Sequence, residues 1–96
     1  MEQLPGSFDD LCEALTALTT RDDTAAFLRD ACTLSELEAI GHRLAVARLL
    51  DAGGMTYHEI ARTVGTSTTT VTRVAHWLRH GTGGYRVALD RLQERA

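Results

Sequence analysis

The sequence predicts an all-α protein of about six helices, and three observations lead to that class. The 96-residue chain contains one proline and only 5% aromatic residues, a composition that disfavours a β-sandwich or barrel. Its apolar residues recur with the 3.6-residue period of helices, and no segment alternates as a strand does. Several segments also begin with a Ser or Thr that has an acid three positions later, as in capped helix starts.

These caps place the first helices in order. The cap pairs are Ser7 with Asp10, Thr20 with Asp23, Thr33 with Glu36, and Thr56 with Glu59. The first stripe contains Phe8, Leu11, Cys12, Leu15 and Leu18, and a short second helix is predicted near 21–32. The third helix runs from about Leu34 to Ala52, with Leu37, Ile40, Leu44, Ala47 and Leu50 one turn apart. It ends at Gly53-Gly54, a pattern typical of a left-handed cap.

The third helix is apolar on its flanks as well as along its stripe. Two explanations fit this composition. The helix meets a partner subunit, or it is a central helix wrapped by its own chain.

Two further helices, near 57–64 and 67–80, have the spacing of a helix-turn-helix at about 56–80. Ile60 and Val64 form the inner face of the first helix, and Ala61 is the small residue where the second helix crosses. Gly65 takes the turn, because a positive φ is cheap only for glycine. Ser67 caps the second helix, and Val71 and Val74 pack back on the first. The alternative is an ordinary helical hairpin with the same packing.

A last helix near 84–95 is predicted to turn Val87, Leu89 and Leu92 inward.

The outward positions of the second helix favour contact with nucleic acid. They are Ser67, Thr68, Thr69, Thr72, Arg73 and His76. No acid occurs between Thr66 and Asp90, so short hydroxyls and one arginine form a face suited to phosphates and base edges. Thr68 and Thr69 are the first candidates for base contact, and Thr72 and Arg73 are candidates for bases or phosphates.

The net charge of -3 conceals an asymmetry between the two halves of the chain. Residues 1–55 sum to -6, whereas residues 56–96 sum to +3 and hold three of the four histidines. This pattern indicates an anionic partner for the second half or two solvated faces, and the total excludes a protein that coats nucleic acid by charge alone. The sequence lacks a transmembrane stretch and a signal peptide, so a cytoplasmic location and no membrane partner are expected.

Other residue patterns do not predict catalysis, a cofactor or a metal. His58-Glu59 begins like H-E-x-x-H, but Arg62 stands where the second histidine would be. His76 and His80 are four residues apart and lack an evident third ligand. Gly81-Thr82-Gly83-Gly84 is predicted to be a linker, and Cys12 and Cys32 are interpreted as small core residues. We therefore expect no enzyme activity.

Three segments carry a resemblance to a known family. They run from Thr33 through Leu50, from Gly54 through Ala61, and from Gly65 through Val74, and they look like the Trp repressor superfamily. The continuation His80-Gly81-Thr82-Gly83-Gly84-Tyr85-Arg86 is more similar to its YerC/YecD-type, TrpR-related branch. The resemblance covers roughly residues 10–95. It implies one Trp-repressor-like domain over 1–96, an intertwined homodimer, and two helix-turn-helix heads one DNA turn apart.

The resemblance also bears on an effector pocket. Thr33, Arg43 and Arg73 match the threonine and two arginines that the Trp repressor uses for its corepressor. The family pattern then has a glycine and a serine where this sequence has Val74 and Trp77. The hypothesis is that valine and indole fill the pocket, so that DNA binding does not require tryptophan.

The predicted function is a homodimeric, sequence-specific regulator of transcription, a repressor by family association, with double-stranded DNA as its partner. One alternative is a protein-interaction or dimerisation module on a helix-turn-helix scaffold, which the acidic first half supports. Another is an amino-acid-responsive repressor that takes a small-molecule effector.

Overall fold

The computed structural model describes residues 3–95 and confirms the all-α class. Its helices are α1 (Gly6–Ala17), α2 (Arg21–Ala31), α3 (Leu34–Ala52), α4 (Tyr57–Val64), α5 (Thr68–His80) and α6 (Gly84–Glu94). The described residues contain six helices and no strand. The chain divides between Leu37 and Glu38 into an N-terminal unit and a C-terminal unit. None of the described helices is long and apolar enough to cross a membrane.

The N-terminal unit holds α1, α2 and the first turn of α3, and two of its three predicted caps are confirmed. The Thr20 hydroxyl accepts from the Asp23 N–H at 3.1 Å. Thr33 and Glu36 form a reciprocal pair, with the Thr33 N–H donating to Glu36 Oε1 at 2.8 Å and the Glu36 N–H donating to the Thr33 hydroxyl at 3.1 Å. These hydrogen bonds lower the pKa of Glu36, that from the Thr33 backbone most.

The predicted cap at Ser7 is wrong. Helix α1 begins at Gly6 with Pro5 in the cap position, and no side chain caps it. The restricted φ of proline suits a helix start, so the helix begins before Ser7 can act as its cap.

The N-terminal unit buries little of its apolar stripe. No residue of α1 or α2 is buried, and Phe8, Leu11 and Leu15 are about 40% exposed. Cys12 is exposed and Cys32 is half-buried, both as free thiols. The interpretation of Cys12 as a core residue is therefore wrong for the single chain, because the stripe on which it lies is uncovered.

The C-terminal unit has a compact core to which four helices contribute. The buried residues that form its core cluster are Val46, Ala47, Ile60, Ala61, Val71, Val74 and Leu89. Leu44, Leu49, Leu50 and Val64 pack partly buried against them. Ile40 was predicted on the inner stripe but is 56% exposed, because the core packs against α3 beyond it. Val87 was predicted to face inward but is 57% exposed, since Leu89 takes the inner position of α6.

An ion pair ties α6 to the end of α3. Arg86 donates two hydrogen bonds to Asp51, at 2.7 and 3.1 Å, and a third to Asp90 at 3.0 Å. The hydrogen bonds from Arg86 hold the pKa of Asp51 below its usual value. The bidentate geometry fixes α6 relative to the C-terminal end of α3, where Gly53 adopts a left-handed φ of 77° as predicted.

Candidate nucleic-acid interface

The first helix of the candidate interface, α4, starts with a complete capping box. The Thr56 hydroxyl accepts from the Glu59 N–H at 3.1 Å, and Glu59 Oε1 accepts from the Thr56 N–H at 3.0 Å. These hydrogen bonds lower the pKa of Glu59, that from the Thr56 backbone most. The acid is thus occupied at the start of α4, where it stabilises the positive end of the helix.

Gly65 makes the turn between α4 and α5, as predicted. Its φ of 85° is left-handed. The N–H groups of Gly65 and Thr66 both donate to the Ala61 carbonyl at 2.9 Å, which satisfies an otherwise unpaired acceptor at the end of α4. The turn thereby lets α5 pack against α4, and Ala61 and Val71 are both buried in the same core.

Ser67 starts α5 by accepting from the Thr70 N–H at 3.1 Å. Its hydroxyl also lies 3.1 Å from that of Thr70. The Ser67 side chain is therefore engaged in the helix cap. The first turn of α5 carries no acid, so the positive end of this helix is not neutralised by its own side chains.

Helix α5 has one buried face and one exposed face. Val71, Val74 and Ala75 are buried. The exposed side carries Thr68, Thr69, Thr72, Arg73 and His76, together with Ser67 at the cap, so all six predicted contact residues are exposed. The Thr72 hydroxyl donates to the Thr68 carbonyl at 3.0 Å, which leaves its oxygen lone pairs and methyl group for an outside partner.

Arg43 and Arg73 line one cavity of about 370 Å³ in the C-terminal unit. Thr70, Val74, Trp77 and Tyr85 complete its lining, which contains no acid. The structure thus brings together three of the four predicted effector-pocket residues. Thr33 lies in the N-terminal unit, where it caps α3.

The hypothesis that Val74 and Trp77 fill this pocket is wrong for the single chain. Val74 is buried in the core, and Trp77 is 58% exposed and forms a wall of the cavity. A second, more apolar cavity of about 540 Å³ shares Arg43, Trp77 and Tyr85 with the first. The Trp77 indole therefore lies at the edge of both cavities and fills neither of them.

Sequence reasoning missed two residues of this cavity, Thr70 and Tyr85. Thr70 was placed on neither face of α5. Tyr85 belongs to α6, which begins at Gly84 after Gly83 takes a left-handed φ of 90°. The two glycines before Tyr85 are the sequence signal for a sharp turn into α6. Only the packing of α6 shows that its first turn reaches the cavity of Arg43 and Arg73.

The histidines of α5 stand side by side. The ring centroids of His76 and His80 are 5.1 Å apart, and the Trp77 ring stands edge-on to His76 at 5.0 Å. Within residues 3–95, no group of three or more His, Cys, Asp or Glu side chains could hold a metal ion.

The geometry of α4, the Gly65 turn and α5 defines a helix-turn-helix protein. A family model for Trp repressor protein matches residues 6–93. The chain therefore belongs to the Trp repressor family.

Individual relatives agree with this assignment. The uncharacterised protein YerC of Bacillus subtilis (strain 168) is 38% identical over 86 residues, which span 90% of this chain and 82% of YerC. A crystal structure described as that of a candidate Trp repressor from Staphylococcus aureus superposes with a TM-score of 0.85 at 33% identity, covering 94% of this chain and 89% of that one. A TrpR-like protein from Eubacterium eligens ATCC 27750 also gives 0.85, at 32% identity, covering 93% and 91%.

Proposed function

We propose that the protein is a sequence-specific, DNA-binding transcription regulator, a repressor, that acts in the cytoplasm as a homodimer through one Trp-repressor-like domain. The main support is the exposed face of α5, where hydroxyls and Arg73 lie on a helix that carries no acid. An α-helix fits the major groove of B-DNA, and such side chains can contact both base edges and phosphates.

The residues of α5 would divide this work by position. Thr68 and Thr69 lie in the first turn, which is the part of a recognition helix that contacts base edges. Thr72 and His76 follow on the same side, and Arg73 lies beside them. The uncompensated positive end of α5 would attract a backbone phosphate.

The homodimer is supported by apolar surface that the single chain leaves uncovered. Phe8, Leu11 and Leu15 of α1 and Ile40 of α3 are exposed, and α1 and α2 bury no residue. A small chain with this much uncovered apolar surface gains stability when a second copy covers it. A two-fold dimer predicts a pseudo-palindromic DNA site with half-sites about 34 Å apart.

We further propose that DNA binding does not require tryptophan. The support is local, because Val74 and Trp77 stand where the family pattern has a glycine and a serine, and these larger side chains narrow the Arg43–Arg73 cavity that they line without filling it. The caps of the helix-turn-helix are moreover formed by hydrogen bonds among the chain's own residues.

The open cavity favours a second candidate, an amino-acid-responsive repressor. Arg43 and Arg73 offer two guanidinium groups to a carboxylate, and the neighbouring apolar cavity could take a side chain. Calorimetry with tryptophan and other amino acids distinguishes the candidates. Micromolar binding that Arg43→Ala abolishes, together with DNA binding that requires the same amino acid, would establish this second function and contradict ligand independence.

The main proposal is tested by selecting sites from a randomised duplex library with purified protein at low salt and without added ligand. The expected result is a two-fold symmetric consensus whose affinity falls steeply with salt, because phosphate contacts release counterions. Failure to enrich any sequence, with or without added amino acids, would contradict DNA recognition and favour a protein-interaction module.

A further inference from the structure

His76 and His80 form an exposed pair of imidazoles on the last two turns of α5. Their positions differ by four residues, so both rings project from the same side of the helix. The ring centroids lie 5.1 Å apart, with the ring planes inclined by 47°. Both side chains are exposed to solvent.

This separation suits chelation of one metal ion. Imidazole nitrogens bind Zn²⁺ at about 2.0–2.1 Å, and a tetrahedral angle between two such ligands places the ring centres roughly 5 Å apart. We propose that His76 and His80 form a two-histidine site for a divalent ion of a late first-row transition metal such as Ni²⁺, Cu²⁺ or Zn²⁺. Water would complete the coordination, since the described residues provide no third ligand.

The surroundings decide which ions the pair can hold. Neutral imidazole suits Cu²⁺, Ni²⁺ and Zn²⁺, whereas Mg²⁺ and Ca²⁺ favour carboxylate ligands, which α5 lacks. His80 is the last residue of α5, where the negative end of the helix dipole favours a cation. Arg73 and Arg79 lie within a turn of His76 and oppose the ion, so we expect micromolar rather than nanomolar affinity.

The test uses the full chain without DNA, so its outcome is independent of the proposed function. Trp77 is the only tryptophan and contacts His76, which makes its fluorescence a local reporter for paramagnetic Ni²⁺. Cys12→Ser and Cys32→Ser in the background remove the free thiols as competing ligands. We expect saturable quenching with one Ni²⁺ per chain.

His76→Ala and His80→Ala should each weaken Ni²⁺ binding at least tenfold, because each leaves a single imidazole. His58→Ala, which removes an exposed histidine of α4, is the matched control and should leave the affinity unchanged. Calorimetry repeats the titration without relying on Trp77, whose emission the change at His76 itself could alter. Circular dichroism of each variant verifies that it is folded.

Equal affinity in the wild type, His76→Ala and His80→Ala would overturn the proposal, as would an equal loss in His58→Ala.

Discussion

At the scale of single residues, the hydroxyls at the start of α5 and along it form different hydrogen bonds, although in the sequence they form one run of Ser and Thr. Ser67 caps the helix, and the Thr72 hydroxyl is bonded to the Thr68 carbonyl. The helical period of Val71 and Val74 predicts that these residues are exposed. It does not predict which hydroxyls are hydrogen-bonded within the chain, because that depends on rotamers and on where the helix begins.

The cap at Ser67 leads to a stability prediction. Ser67→Ala should lower the free energy of unfolding by about 1 kcal/mol, because the Thr70 N–H loses its acceptor. Ser7→Ala is the matched control, since Ser7 lies inside α1, and it should change stability by less than about 0.5 kcal/mol. Urea unfolding measures both, and equal losses in the two variants would contradict the assigned caps.

The Asp51–Arg86 pair predicts a pH dependence of stability. The pKa of Asp51 is lowered in the folded chain, so the unfolded chain binds a proton more readily. The pair therefore stabilises the fold above the ordinary aspartate pKa of about 3.9, and this contribution is lost as the pH falls through the lower, folded value. Asp51→Asn should reduce stability at pH 7 and match the wild type in acid.

Urea titrations at several pH values measure that difference. Glu13→Gln, which changes an exposed carboxylate in the middle of α1, is the control and should follow the wild type throughout. A deficit in Asp51→Asn that stays the same size from neutral pH down through the folded pKa of Asp51 would show that charge pairing is not its source.

At the scale of elements, the helix-turn-helix was the most predictable part of the molecule. The structure buries Ile60, Ala61 and Val71 as their spacing predicts, and it gives Gly65 the predicted left-handed φ. The wall of the cavity was not predictable in this way. Tyr85 reaches it only through the entry angle of α6, a tertiary property that local periodicity does not contain.

Substitution of Gly65 tests the backbone conformation of the turn. A Cβ at this position meets no neighbouring atom within 4 Å, so the cost of substitution comes from the left-handed φ. Gly65→Val should destabilise the protein by roughly 1–2 kcal/mol or more, and Gly65→Asn by less, since asparagine tolerates this conformation. Equal unfolding free energies for the two variants would contradict a left-handed residue 65.

At the scale of the whole molecule, the two units differ in how much of their apolar surface they bury within the single chain. The C-terminal unit buries residues from α3, α4, α5 and α6, whereas α1 and α2 bury none. The apolar stripe of α1 was visible in the sequence. What covers it was not, because a stripe with helical period fits an internal core and a subunit interface equally well.

The proposed dimer predicts a concentration-dependent mass. Sedimentation equilibrium should give twice the chain mass of 10.5 kDa at micromolar concentration. Leu11→Glu should shift the equilibrium toward the monomer, because it places a charge on the stripe of α1. Leu4→Glu changes an exposed leucine that precedes α1 and should leave the dimer intact. A wild-type monomer at all concentrations would contradict the proposed dimer.

The most direct test of the central claim, that the exposed face of α5 binds DNA, is an anisotropy titration of the selected duplex without ligand. Arg73→Ala should weaken binding about tenfold or more and reduce the dependence of affinity on salt. Arg91→Ala, which changes an exposed arginine of α6, should stay within about twofold of the wild type. Equal affinities for the wild type and Arg73→Ala, or an equal loss in Arg91→Ala, would contradict the assignment of α5 as the DNA-binding helix.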